Sequence, residues 1–171
     1  TVLHYILERL GNWYDDAGIH ISVVRAVLAT EGTDLFDIDL RVKALAAFAQ
    51  TDTAEHLAAA NKRVANILAK AGSLDGTGVD ADLLTEAEET ALLRAMTELD
   101  ATIRPLLLEQ QYELALGHLA QLRAPVDDFF ESVMVNSDEP AVRLNRLRLL
   151  STLRGLFTRV ADLALLNPAM E

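Results

Sequence analysis

Apolar residues recur every three or four positions along nearly the whole chain, which is the spacing of an amphipathic α-helix. Alanine and leucine are abundant, aromatic residues make up only 5 %, and long alternating runs rich in β-branched residues are scarce. The pattern therefore predicts an all-α fold, a single-domain bundle of about seven or eight helices. The predicted helices cover residues 2–10, 20–29, 37–50, 54–71, 85–104, 112–122, 125–134 and 140–166.

Residues that cap or interrupt helices set several of these boundaries. Gly11-Asn12 predicts the end of the first helix, and Pro105 predicts the end of the fifth. Thr51-Asp52-Thr53 offers capping side chains to the helix that follows it. The glycine-rich segment 72–78 is the clearest loop, and it lacks the order of a phosphate-binding glycine motif.

Two later helices carry start signals. Thr85-Glu86-Ala87-Glu88 matches a capping box, in which a hydroxyl and the carboxylate three residues on each bind a backbone N–H group. Ser137 or Asp138 is the expected cap of the last helix, with Pro140 inside its first turn.

The composition limits the class of protein. The 171 residues include 15 Lys and Arg against 26 Asp and Glu, a formal net charge of −11, which argues against bulk binding to DNA or other nucleic acid. The absence of cysteine excludes disulfides, thiolate metal sites and a cysteine nucleophile. No apolar run approaches the roughly 20 residues of a membrane span, so no membrane partner is expected. The chain opens on Thr1, and we expect residues 1–171 to be one helical domain excised from a longer protein.

The charge is unevenly distributed. Residues 75–100 contain eight acids and one arginine, whereas residues 56–74 and 141–160 contain no acid. Because salt screens exposed charges over a Debye length of about 8 Å, a local positive face can attract phosphate despite the negative total.

The helix around Asn61 has a polar face opposite its apolar arc. Lys62, Arg63, Asn66 and Lys70 share that face, where three cations and an amide could hold phosphate oxygens and reach a base edge. An ordinary solvated helix face explains the same pattern, and both interpretations remain open here.

The last helix carries five arginines at different angles to its core arc. Arg146 points into the apolar arc, so we expect a structural ion pair, with Asp127 or Asp128 as partner. Arg148 and Arg159 lie on the exposed side of the helix. Arg143 and Arg154 lie at the border of the arc, where packing of their stems at the core edge and contact with a ligand both explain their position.

The chain offers no recognisable catalytic centre. Its four histidines are too scattered for a metal site, the adjacent acid pairs do not form a dyad on a helix, and no nucleophile motif is present. Trp13-Tyr14 and Phe129-Phe130 could stack on bases, but helical spacing puts at least one ring of Phe129-Phe130 in the core.

Several segments match a known pattern in order and spacing. They are Ala59-Ala60-Asn61-Lys62-Arg63-Val64-Ala65-Asn66-Ile67-Leu68, residues 122–135 and residues 143–163, and the stretches 7–19 and 37–48 match as well. Together they resemble the C-terminal anticodon-binding domain of the bacterial glycyl-tRNA synthetase beta subunit, over nearly the whole chain.

The resemblance implies an all-helical domain of the DALR type, related to the anticodon-binding domain of arginyl-tRNA synthetase. It implies a domain that grips the anticodon loop of glycine tRNA within a cytoplasmic glycine–tRNA ligase, an ATP-dependent aminoacyl-tRNA synthetase. In that family the alpha subunit carries the ATP, Mg²⁺ and glycine chemistry, so we expect no cofactor, metal or catalytic residue in this segment. The implied partners are tRNA, the remainder of the beta subunit and the alpha subunit.

We combine this implication with the charged faces to assign expected RNA contacts. On the first face, Lys62, Arg63 and Lys70 are expected to bind phosphate, and Asn66 phosphate or a base edge. On the last helix, we expect Arg143 and Arg154 to confer specificity, and Arg148 and Arg159 to add peripheral positive charge. These roles require the two cationic helix faces to meet in one groove.

Two other functions stay open at this point. One is a helical protein-interaction module that uses the acidic segment 75–100 to bind a basic partner. The other is the related arginine-specific synthetase domain, which would have the opposite tRNA preference.

Overall fold

The computed structural model describes residues 2–30, 32, 34–76 and 78–166, without the side chains of residues 2–4 and 7. Within these ranges the chain forms eight α-helices and no β-strand, which confirms the predicted all-α bundle. The helices are α1 Val2–Asp16, α2 Ile21–Leu28, α3 Leu35–Phe48, α4 Asp52–Ala71, α5 Ala87–Leu108, α6 Tyr112–Leu119, α7 Arg123–Ser132 and α8 Pro140–Phe157. Short 3₁₀ turns lie at Ala81–Leu83, Ala120–Leu122 and Leu163–Leu165.

Buried apolar side chains from each of the eight helices form one continuous core. Helix α4 packs against both α7 and α8, and α5 packs against α6, α7 and α8. The two helices predicted to carry positive faces are therefore direct neighbours. None of the described helices combines the length and the apolar character that a membrane span requires.

The predicted helix break at Gly11-Asn12 is wrong, because α1 continues to Asp16. Gly11 is buried, and a Cβ atom there would lie 3.2 Å from Cδ1 of Ile21, so the missing side chain lets α2 pack closely. The helix ends at Asp16, and two residues later Gly18, with a φ of +78°, turns the chain away from the helix axis.

The predicted helix end at Pro105 is also wrong, because α5 continues to Leu108. Proline has no N–H group to donate to the carbonyl of Ala101, four residues earlier. Both Ala101 and Pro105 lie on the exposed side of α5, where water can satisfy that carbonyl. The interruption therefore costs less than it would in the core.

Helix α8 differs from the prediction at both ends. Its N-cap residue is Glu139, and the Ser137 hydroxyl accepts the Glu139 N–H at 3.3 Å without being the cap itself. The helix ends at Phe157 rather than near residue 166. The N–H of Asp162 donates to the carbonyl of Ala26 at 2.8 Å, so the chain after α8 turns back toward α2.

The predicted capping box is displaced by one residue. Glu86 is the N-cap of α5, and the reciprocal carboxylate belongs to Glu89 rather than Glu88. Glu89 Oε2 accepts the N–H groups of Glu86 at 2.8 Å and Thr85 at 2.9 Å. Glu89 lies on the buried face of α5 and is fully inaccessible to solvent, so its charge needs a partner inside the protein.

That partner is Arg146. The predicted burial and ion pairing of Arg146 are confirmed, but the predicted partners Asp127 and Asp128 are wrong because both lie on the exposed face of α7. Arg146 Nε and Nη2 donate to the Glu89 carboxylate at 2.8 and 3.2 Å. Burial alone would raise the pKa of Glu89. Hydrogen bonds from Arg146 and from two backbone N–H groups, together with the positive charge of Arg146, outweigh this effect, so the pKa is lowered.

Glu89→Gln should lower the free energy of unfolding by about 3–5 kcal/mol, because it removes the buried counter-charge of Arg146 and leaves only the exposed Glu86 carboxylate, at 4.0 Å. Urea unfolding measures the loss. Glu88→Gln is the matched control: Glu88 makes no ion pair among the described residues, and its change should stay within about 0.5 kcal/mol. Equal losses in the two variants would contradict the assignment.

The lowered pKa of Glu89 also predicts a pH dependence. A carboxylate with a lowered folded-state pKa stabilises fully above its ordinary pKa of about 4.3, and this stabilisation is lost as the pH falls through the folded-state value. The difference in Tm between the wild-type chain and Glu89→Gln should therefore be constant near neutral pH and shrink below about pH 4. A difference that widens on acidification would contradict this prediction.

Candidate nucleic-acid interface

The predicted polar face of α4 is on the surface. Its four members are all exposed: Lys62, Arg63, Asn66 and Lys70. Leu57 and Val64, on the opposite side of the helix, are fully buried. Within the described part of the chain, no carboxylate forms an ion pair with the three cations of this face, so their charge is available to a ligand.

Arg63 is oriented by an aromatic ring of α7. Its guanidinium carbon lies 4.1 Å from the centre of the Phe130 ring, within the range of a cation–π contact. Phe130 is half-buried, while the neighbouring Phe129 is fully buried, which confirms that one ring of this pair belongs to the core. The contact holds the Arg63 charge at the boundary between α4 and α7.

A groove of about 480 Å³ lies between the end of α4, the segment that follows α7 and the start of α8. We call it the α4–α8 groove; its lining residues are Ile67, Lys70, Ala71, Val135, Asn136, Arg143 and Leu147. Lys70 and Arg143 therefore line the same cavity, whereas Lys62, Arg63 and Arg154 are not among its lining residues, so the predicted convergence of the two helix faces is found only for this one pair. Arg143 Nη1 donates to the Ser137 carbonyl at 3.1 Å, which fixes the guanidinium at the rim.

Arg154 lies outside this groove and is held within the fold. Its Nη1 and Nη2 donate to the two Asp162 carboxylate oxygens at 2.7 and 2.8 Å, and Nη1 also donates to Asn61 Oδ1 at 2.7 Å. Burial would raise the pKa of Asp162, but the hydrogen bonds and charge of Arg154, with further bonds from Ala164 and Asn61, lower it. The expected grouping of Arg154 with the cations of α4 is not found.

Arg148 and Arg159 also have partners inside the protein. Arg148 is half-buried rather than exposed, and its Nε donates to the Asp75 carbonyl at 2.9 Å. A Cβ atom at Gly76 would lie 2.8 Å from Arg148 Nη2, so the arginine packs directly on the loop backbone. Arg159 is exposed as predicted and forms an ion pair with Asp100 at 2.8 Å.

Comparison with known proteins identifies the family. Residues 57–167, from within α4 to the last 3₁₀ turn and beyond, match the DALR anticodon binding domain. The chain belongs to the DALR anticodon binding domain family.

Relatives of this DALR domain carry one common name. The chain is 48 % identical to the glycine–tRNA ligase beta subunit of Haemophilus influenzae (strain Rd) over 166 aligned residues. The alignment covers 97 % of this chain and 24 % of that subunit. The proteins of the same name from Actinobacillus pleuropneumoniae serotype 7 and Pasteurella multocida are 48 % and 46 % identical to the chain. These alignments also cover 97 % of this chain and 24 % of each relative. The DALR domain spans about a quarter of the length of these relatives.

The structure adds two residues of the DALR domain that sequence reasoning missed. Arg123, on α7, places Nη2 3.1 Å from Nε2 of His56 on α4, so its charge lies beside the cationic face of α4. The Asp127 carboxylate, 3.9 Å from Arg123 Nε, partly neutralises that charge. The seven-residue spacing of His56, Arg63 and Lys70 along α4 could have indicated this row. Asn136 gave no sequence signal, because only the tertiary structure brings its segment to the groove.

Arg154→Ala should lower the free energy of unfolding of the DALR domain by about 1.5–3 kcal/mol, because Asp162 and Asn61 lose a charged hydrogen-bond donor. Arg63→Ala should cost only about 0.5–1 kcal/mol, since it removes an exposed cation–π contact. Thermal unfolding followed by circular dichroism ranks the two variants. The reverse order would contradict the structural role given to Arg154.

Proposed function

We propose that this DALR domain binds the anticodon loop of a glycine tRNA as part of the beta subunit of a glycine–tRNA ligase. The observation that carries the proposal is the α4–α8 groove, where Lys70 and Arg143 meet beside the unpaired cations of α4. Membership of the DALR family supports anticodon binding, and the name shared by the relatives supports glycine as the amino acid.

The proposed mechanism follows from how single-stranded RNA is recognised. Bases in a loop are splayed out and read on their edges, while arginine and lysine bind the phosphates and set the position of the strand. Lys62, Arg63 and Lys70 bind phosphate in this scheme, and Asn66 binds phosphate or a base edge. Arg143, fixed at the groove rim by Ser137, contributes to specificity.

Three arginines that the sequence suggested are left out of the primary contacts. Arg154, Arg148 and Arg159 each have a partner within the fold, so binding RNA would first require those bonds to break. Arg154 and Arg148 support the architecture around the interface. Arg159 contributes at most a weak peripheral field, because Asp100 offsets its charge.

The rest of the ligase reaction is assigned to other parts of the enzyme. ATP, Mg²⁺ and glycine would bind to the catalytic alpha subunit, and this domain would supply tRNA recognition without a cofactor or catalytic residue of its own. We expect the complete enzyme in the cytoplasm, where its tRNA substrate is.

Arg63→Ala should weaken binding of a glycine anticodon stem-loop and reduce the slope of log affinity against log salt by about one unit, because one phosphate contact is lost. Fluorescence anisotropy across a series of salt concentrations measures both quantities. The matched control is Arg94→Ala, which removes an equal charge from the exposed face of α5, and its slope should equal the wild-type slope. An unchanged slope in a folded Arg63→Ala variant would contradict the phosphate contact.

A second titration separates the candidate functions. The wild-type chain should bind the glycine stem-loop more tightly than the same stem-loop with a substituted anticodon or with an arginine anticodon. A preference for the arginine anticodon would assign the domain to the arginine-specific relatives. Equal and weak binding of all loops at low salt would favour a protein-interaction module instead.

A further inference from the structure

We propose that the α4–α8 groove is a pocket for one unstacked cytosine of the anticodon, whose edge is read by Asn136 together with Arg143. The inference rests on the proposed function and adds the pocket and a specificity-determining residue to it. Asn136 lies in the segment between α7 and α8, outside both cationic helix faces.

The size and lining of the groove fit a nucleobase. Its volume of about 480 Å³ falls within the roughly 300–1,000 Å³ of clefts that bind small organic groups. Ile67, Val135 and Leu147 supply apolar contact surface for the faces of a flat ring. Lys70, Asn136 and Arg143 are its charged or amide-bearing lining residues, a small polar set of the kind that orients a ligand.

The segment that carries Asn136 is fixed on both sides by arginines of α8. Arg146 Nη1 donates to the carbonyl of Met134 at 2.7 Å, and Arg143 Nη1 donates to the carbonyl of Ser137 at 3.1 Å. Asn136 therefore lies between two anchored carbonyls, which lowers the entropy lost when its side chain binds a base. Its own amide has no hydrogen bond to the described residues, so both its donor and its acceptor are available.

The hydrogen-bonding groups in the groove match cytosine. The edge of cytosine presents two adjacent acceptors, O2 and N3, next to the N4 amino donor. Arg143 still has Nε and Nη2 without a described partner, and these can donate to the two acceptors while Asn136 Oδ1 accepts from N4. Uracil carries an N3–H donor where the guanidinium needs an acceptor, so the same arrangement disfavours it.

The choice of cytosine also agrees with the proposed substrate. Glycine codons begin with a pair of guanines, so every glycine anticodon carries a pair of cytosines. A pocket that selects cytosine would separate glycine tRNAs from tRNAs with other bases at the same position. The phosphates on either side of the bound base would lie near Lys70 and the exposed face of α4.

The test compares the full 171-residue chain with Asn136→Ala and with Ala71→Phe. The first variant removes the amide, and the second places a ring in the groove from the exposed end of α4. Fluorescence anisotropy is measured with the glycine anticodon stem-loop and with versions in which each anticodon cytosine is replaced by uracil in turn. Asn12→Ala, an exposed amide on α1, is the matched control.

We expect the wild-type chain and Asn12→Ala to prefer the unsubstituted loop over one of the uracil versions by about tenfold or more. Asn136→Ala and Ala71→Phe should each lose this preference at the same cytosine, while the salt slope set by the phosphate contacts stays unchanged. A preference that persists in either variant would overturn the pocket as proposed and leave anticodon binding intact. Wild-type binding without any preference, or no binding, would overturn the proposed function itself.

Discussion

The wall of the groove depends on one buried charge pair, Arg146 with Glu89. A guanidinium in a protein core is tolerated only when its donors are satisfied and its charge is balanced. Glu89 supplies the charge and two acceptors, the Thr85 hydroxyl accepts from Nη2 at 2.9 Å, and the Met134 carbonyl accepts from Nη1. The pair thereby ties the start of α5 and the segment after α7 to α8, and this segment carries the Asn136 side of the groove.

The arginines between residues 141 and 160 look alike in the sequence but have different roles. Three of them balance carboxylates from elsewhere in the chain: Arg146 with Glu89, Arg154 with Asp162 and Arg159 with Asp100. Arg148 instead binds loop carbonyls. Because residues 141–160 include no acid, acids of α5 and of the chain after α8 balance three of the five arginines in this stretch. Arg143 is the arginine of this stretch that lines the groove without an ion pair among the described residues.

The sequence predicted a helix boundary correctly where residues close together in the chain determine it, as a capping side chain does. Helix α4 begins after Thr51, whose hydroxyl accepts the Ala54 N–H at 3.2 Å, as its capping residues indicated. The predictions at Gly11 and Pro105 were wrong because both residues interrupt helices on average. Helix α1 continues through Gly11 because the close approach of Ile21 leaves little room for a side chain there. Helix α5 continues through Pro105 because the carbonyl that loses its hydrogen bond is exposed to water.

The sequence by itself determined the all-α class, the exposed cationic face of α4 and the burial of Arg146, since each follows from a repeat of apolar positions along one helix. Only the tertiary structure decided which cations remain available. Arg146 and Glu89 are 57 positions apart, and Arg154 and Asn61 are 93 positions apart, so no local pattern relates them. A charge is left for a ligand only when the surrounding fold offers it no partner, and that depends on contacts between distant segments of the chain.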